Sequence, residues 1–372
     1  MSVDTLDRPR DGAATGAQAK LSVIDCDIHP MLRSAKSLHP YLSTRWRDFV
    51  DSYGPHTRLP FLGSPAYPKA TPALSRRDSW PPNGGPPGSD LDFMREQHLD
   101  PNGVEYGILQ VLYPAVKDQR NLEFAAALAR AVNDWQVEEW ARPEPRLKAS
   151  ISLPCEDPEA AVAEIERRAG DKHFAQIFLT ARTSEPLGRK RYWPIFEAAA
   201  RHGIPIGIHS GGANGVPLTP GGWHSFYIED HFGNAVAMQT ALASIVFEGV
   251  PERWPDLKIV AVEAGFGWVP SWTWRMDRQW ARFRDEVPHV AHPPSTYIKR
   301  NIWFSTQPIE ETDRRRDLRD TLDWVGYDRI VFATDYPHWD FDDPRYAFKV
   351  ALTDEQQRSI FTGNARAVYG LA

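Results

Sequence analysis

Four short stretches place metal-binding side chain types directly after apolar runs. They are "DCDIHP" (25–30), "IPIGIHSGG" (204–212), "VEAGFGWVPSWTWRMD" (262–277) and "VFATDYPHWD" (331–340). Together they supply Asp27, His29, His209, Glu263 and Asp335. A carboxylate at the rim of an apolar core is costly unless it is paired, hydrogen-bonded or bound to a metal. Three carboxylates and two imidazoles form a harder, more anionic ligand set than a His-rich zinc site, and carboxylate with imidazole suits Fe and Mn as well as Zn. The chemistry expected is that of a divalent cation that activates water and polarises a substrate.

Other residues near these stretches are candidates for substrate contact or proton transfer. The segment "GGWHSFYIEDH" (221–231) brings His224 and His231, each an acid/base, a second-metal ligand or a loop residue. Arg182 follows the fourth apolar run and could clamp a carboxylate by a bidentate contact. His338 and Trp339 follow Asp335 and could line a pocket. Cys26, between inward-facing neighbours, is expected to point toward the helices as a structural residue.

The elements that must position these groups are legible as alternation. Strand-like runs occur at 22–27, 105–113, 147–153, 175–179, 204–209, 257–263, 302–306 and 329–335. They are apolar on both parities, as in a parallel sheet covered on both faces. Helical patterns lie between and after them, at 121–141, 157–170, 192–203, 234–249, 270–286, 311–326 and 353–370. Eight strands alternating with helices predict an α/β fold, a (β/α)8 TIM barrel, whose chemistry sits at the C-terminal strand ends. An open doubly wound sheet with a second domain is the alternative, but no Gly-rich fingerprint follows the first strand.

A single barrel domain over 21–372 is expected, with residues 1–20 as a polar, mobile tail. Residues 31–95 form a Pro/Gly-rich insertion, a loop expected to cover the barrel mouth as a lid. The net charge of −6 and the lack of a basic run longer than "GRKR" argue against nucleic-acid binding. No apolar stretch spans a bilayer, and two distant cysteines fit a reducing, cytoplasmic setting.

The four motifs resemble those of the amidohydrolase-related family, the metal-dependent barrel hydrolases and non-oxidative decarboxylases of the amidohydrolase superfamily. The resemblance runs from about residue 22 to 370. It implies that Asp27 and His29 are the strand-one metal pair, where many members have two His. It likewise implies that His209 is the strand-five ligand and that Asp335 binds metal and handles the proton of bound water. Two departures stand out. Glu263 replaces a strand-six His, and no Lys ends strand four ("AQIFLTAR"), so a carbamylated lysine bridging two metals is not expected.

Three readings follow. The first is a mononuclear hydrolase or decarboxylase acting on a small, carboxylated or aromatic substrate, with Asp335 as proton acceptor and zinc as the expected ion. The second is a dinuclear Fe or Mn hydroxylase component of a monooxygenase, fed by a ferredoxin and reductase. The third is a non-catalytic barrel with a structural metal, paired with an active sister chain. A homo- or hetero-oligomer with a related barrel is expected.

Overall fold

The computed structural model describes residues 22–55, 74–212, 219, 222 and 224–372. Eight strands form one sheet in the order β1 to β8, and every neighbouring pair is parallel. They are β1 (Val23–Ile28), β2 (Val104–Leu109), β3 (Leu147–Ser152), β4 (Phe174–Arg182), β5 (Ile206–Gly212), β6 (Ile259–Val262), β7 (Ile302–Ser305) and β8 (Ile330–Val331). Backbone bonds return from the last strand to the first. Cys26 N donates to Phe332 O at 2.9 Å, and His29 N to Tyr336 O at 2.8 Å. The expected TIM barrel is thus the observed fold.

The helices are α1 (Thr44–Tyr53), α2 (Leu91–Met94), α3 (Leu122–Gln136), α4 (Pro158–Arg168), α5 (Trp193–His202) and α6 (Tyr227–Phe247). They continue as α7 (Val250–Arg253), α8 (Val269–Arg282), α9 (Pro294–Asn301), α10 (Arg315–Val325), α11 (Asp354–Arg358) and α12 (Asn364–Tyr369). Local chemistry sets their ends. Asp157 caps α4 by accepting from Ala160 N, with Pro158 in the first turn, where its missing N–H costs nothing. Gly203 ends α5 at φ 64°, a conformation glycine adopts without a Cβ clash.

Strand parity divides the core. Ile206 and Ile208 of β5, with Ile259 and Ala261 of β6, pack outward under the helices. Ile24, Cys26, Val260, Val262, Val331 and Ala333 fill the interior with Val368 and Tyr369 of α12. Lys258, just before β6, bonds the carbonyl of Ala367 at 2.7 Å, so α12 plugs the end where the strands begin. Cys26 corrects the expectation that it faces the helices. Cys26 shares the inward parity of Ile24, two residues before it, and both pack in the barrel interior.

Several boundaries also differ. The eighth run pairs as a strand only over two residues. Helix α6 begins at Tyr227 rather than 234, which carries His231 onto a helix. The insertion is not a structureless loop where it is described. It holds α1, whose Trp46 and Phe49 pack on Phe124 of α3 with centroids 5.2 and 4.8 Å apart. Residues 56–73 of it, and the tail 1–20, lie outside the described residues. On its far side Leu74, Ser75 and Pro87 border a cavity at the C-terminal ends of the strands. Among the described residues, no helix is long and apolar enough to cross a membrane.

Candidate metal centre

All five ligand-type residues converge at this mouth. Asp27 and His29 come from the end of β1, and His209 from β5, in register with Thr180 on one side and Val262 on the other. Glu263 follows β6 directly and Asp335 lies four residues past β8, at φ 54° and 64°. A non-glycine residue at positive φ is strained, and such strain persists where surrounding structure over-determines it, typically at functional sites.

His29 Nε2 lies 2.8 Å from Asp335 Oδ1 and 3.1 Å from Asp27 Oδ1. Its Nδ1 donates to the Gln110 carbonyl at 2.9 Å, which fixes the ring and leaves Nε2 facing the acids. His209 Nε2 lies 2.6 Å from Glu263 Oε2 and 3.9 Å from Asp27 Oδ2, while Gly211 N–H approaches its Nδ1 at 3.2 Å. Both oxygens of Asp27, His29 Nε2 and His209 Nε2 are buried without a hydrogen bond. Asp27, His29, His209 and Glu263 offer ligand atoms within 4.8 Å of one another, and so do His29, Asp335 and His338. Buried, orphaned carboxylate and imidazole atoms aimed at one point fit a divalent cation.

The electrostatics show the strain of this gathering. Burial pulls the His29 imidazole down, but Asp27 and Asp335 outweigh it and raise its pKa well above the ordinary value. Burial raises Asp335 strongly, and Glu263 and Asp340 add to the rise. Burial also works against the Glu263 carboxylate, but His209 prevails and lowers it to about 2. His338, stacked on His29 with centroids 4.4 Å apart, is lowered to about 4 by burial and by the charge on His29. Its Nδ1 lies 2.6 Å from Asp335 Oδ1.

The cavity beside this cluster has a volume of about 190 Å³. Arg182, His231, His338 and Trp339 line it. Arg182 is the last residue of β4 rather than a residue beyond it. His224 is not among the lining residues; its Nδ1 lies 3.5 Å from Asp230, which is. Sequence reasoning missed Asp340 and Gln307. Gln307 Nε2 donates to Asp340 Oδ2 at 3.0 Å and to Asp335 Oδ2 at 3.3 Å. Gln110 and Gln307 lie just past β2 and β7, so reading those two strand ends would have found them.

A family model for amidohydrolases matches residues 24–371. The chain is 26% identical over 296 residues to the gamma-resorcylate decarboxylase of Polaromonas sp. strain JS666, covering 76% of this chain and 88% of that protein. It is 28% identical over 305 residues to the enzyme of that name from Rhodococcus jostii, with the same coverage. In fold it is similar to 5-carboxyvanillate decarboxylase from Novosphingobium aromaticivorans complexed with manganese. The TM-score is 0.70 at 21% identity, over 96% of this chain and 98% of that one. It is also similar to a dihydroxybenzoic acid decarboxylase from Polaromonas sp. JS666 with bound manganese and 2-nitroresorcinol. There the TM-score is 0.66 at 20% identity, over 94% and 97%. A matched model spanning the whole barrel, on a chain whose strand ends gather this ligand cluster, means that the chain belongs to the amidohydrolase family.

Proposed function

We propose that this protein is a metal-dependent, non-oxidative decarboxylase of small aromatic acids. The observation that carries the reading is the set of buried, unbonded ligand atoms of Asp27, His29 and His209 at the floor of a small cavity. The names of the relatives support the reaction class, and the manganese in related structures agrees with a carboxylate-rich ligand set. Asp27, His29, His209 and Asp335 would hold the ion, with Glu263 against His209. When bound, the cation supplies a fixed positive charge for the substrate carboxylate. Asp335, which lines the cavity beside the cluster, is the group that hands a proton to the ring carbon. His338 and Gln307 hold its two oxygens.

One ion is favoured over two. His29 serves both ligand groups, yet its Nδ1 is engaged by Gln110, so a single nitrogen remains. The relatives described above are decarboxylases, and nothing in them favours the oxygenase reading. The test is incubation of manganese-loaded protein with 2,6-dihydroxybenzoate and 5-carboxyvanillate while CO₂ is measured. We expect metal-dependent CO₂ release without O₂ consumption. Hydrolysis of esters or amides with no CO₂ from any aromatic acid would overturn the reading.

A further inference from the structure

The turn from Glu263 to Gly267 carries a ligand-type carboxylate on a backbone that enters the left-handed region twice. Glu263 stands at φ 54° and Gly265 at φ 61°. A glutamate in that region persists only where neighbouring structure over-determines it. The hold comes from the end of β7 and the segment after it, which add no residue to either ligand group. At one end of the turn, Glu263 N donates to Ser305 Oγ at 3.1 Å, and Ser305 Oγ donates to the Gln307 carbonyl at 3.3 Å. At the other end, Phe266 N and Gly267 N donate to the two oxygens of Glu310, at 3.2 and 2.7 Å. Successive backbone N–H groups of a turn form a concavity that binds an anion, and here the anion is a side chain of the same protein. A Cβ at Gly265 would collide with Glu310 Oε1, and one at Gly267 would lie 2.9 Å from Glu310 Cδ, so both glycines make room for this carboxylate. Glu310 is not among the residues that line the cavity beside the cluster, so it meets no substrate there.

We infer that Glu310 is the positioning residue of this turn: its carboxylate, accepting from Phe266 and Gly267, keeps Glu263 in the left-handed conformation that sets its carboxyl against His209 Nε2. The same segment reaches the loop after β8. Gln307 Nε2 donates to Asp335 Oδ2 at 3.3 Å, and Ile309 N donates to Asp342 Oδ2 at 3.1 Å. Residues 305–310 thus clasp both carboxylate-bearing turns, Glu263 on one side and Asp335 on the other. Without the Glu310 acceptor, the turn is free to relax toward negative φ, and Glu263 swings away from His209. This role rests on the metal centre described above, whatever reaction the ion serves.

The probe is manganese alone, titrated into the metal-free full chain. Glu310→Ala is made in two backgrounds, wild type and Glu263→Gln. In wild type it should weaken manganese binding about tenfold, as loss of an outer partner does, with the saturating metal content unchanged. In Glu263→Gln it should add no comparable loss, because residues that act through one contact do not add. Glu310→Gln keeps an oxygen for one of the two N–H groups and should fall between wild type and Glu310→Ala. Should Glu310→Ala fail to fold, Glu310→Gln in the same two backgrounds carries the test, with a smaller loss in wild type and none in Glu263→Gln. Equal losses in both backgrounds would make Glu310 a general support of the fold and overturn the inference alone. Unchanged affinity in both would overturn it equally. Failure of the wild-type chain to bind manganese would overturn the metal-centre reading and the inference with it.

Discussion

Glu263 and Asp335 are carboxylates of the same cluster shifted in opposite directions. Against burial, His209 draws the Glu263 carboxyl down to about 2, while burial and its acidic neighbours push Asp335 up. Glu263 meets His209 at Nε2, the atom that would hold the ion, so it is itself a candidate ligand, and its replacement by an amide should weaken metal affinity by no less than the roughly 10–100-fold typical of outer partners. Glu263→Gln should therefore bind manganese that much more weakly and still saturate at high metal. His209→Ala should bind none, because it removes the imidazole nitrogen closest to Glu263. Metal analysis across a manganese titration checks both; identical curves for the two variants and the parent would remove this cluster as the metal site. At this scale the sequence was generous, since each ligand is a polar residue ending an apolar run. Asp340 was not legible. It lies in the acidic stretch "DFDD", where nothing local separates it from Asp342 or Asp343, and its importance comes from contacts with Gln307 and His231.

The seam between β1 and β8 depends on one buried carboxylate. Asp25 Oδ1 accepts from Thr334 N at 2.9 Å and Asp27 N at 3.1 Å, and its Oδ2 lies 2.8 Å from His98 Nε2. Thr334 Oγ1 donates to it as well. Asp25 thus ties together the residues that precede or carry the ligands Asp27 and Asp335. Asp25→Ala would leave several buried donors unpaired, and breaking a buried pair of this kind costs about 3–5 kcal/mol. A urea midpoint lowered by that free energy divided by the slope is expected, with the slope itself unchanged since the folded shape is retained. A midpoint within error of wild type would show that water replaces the carboxylate. Motif reading placed Asp25 beside the ligands and assigned it nothing, because His98 and Thr334 are remote in sequence and only barrel closure brings them to it.

The pH response of the whole molecule should carry the mark of Asp342, which bonds Ile309 N at 3.1 Å across the loops after β8 and β7. Burial raises its pKa from 3.8 to about 7 against the opposing Ile309 N–H, and Asp340 adds to the rise. The folded chain therefore holds a proton that the unfolded chain releases above about pH 4. The stability this contributes is full below that pH and is lost as pH rises to about 7. Asp342→Asn mimics the protonated form, so its melting temperature should exceed the parent's at pH 8 and match it at pH 4. Equal differences at both pH values would refute the assignment. The barrel itself was determined by the sequence alone, because eight apolar runs alternating with amphipathic helices have few ways to bury both sheet faces. So were the ligand types, because a charge at the end of a buried strand needs a partner. The tertiary structure decided the rest. Closure of β8 on β1 set Asp335 against His29, and the packing of α6 and of the segment after β7 over the mouth joined His231 to Asp335 through Asp340 and Gln307. Those contacts span large sequence separations, and no local pattern of residues encodes a distance between strand ends.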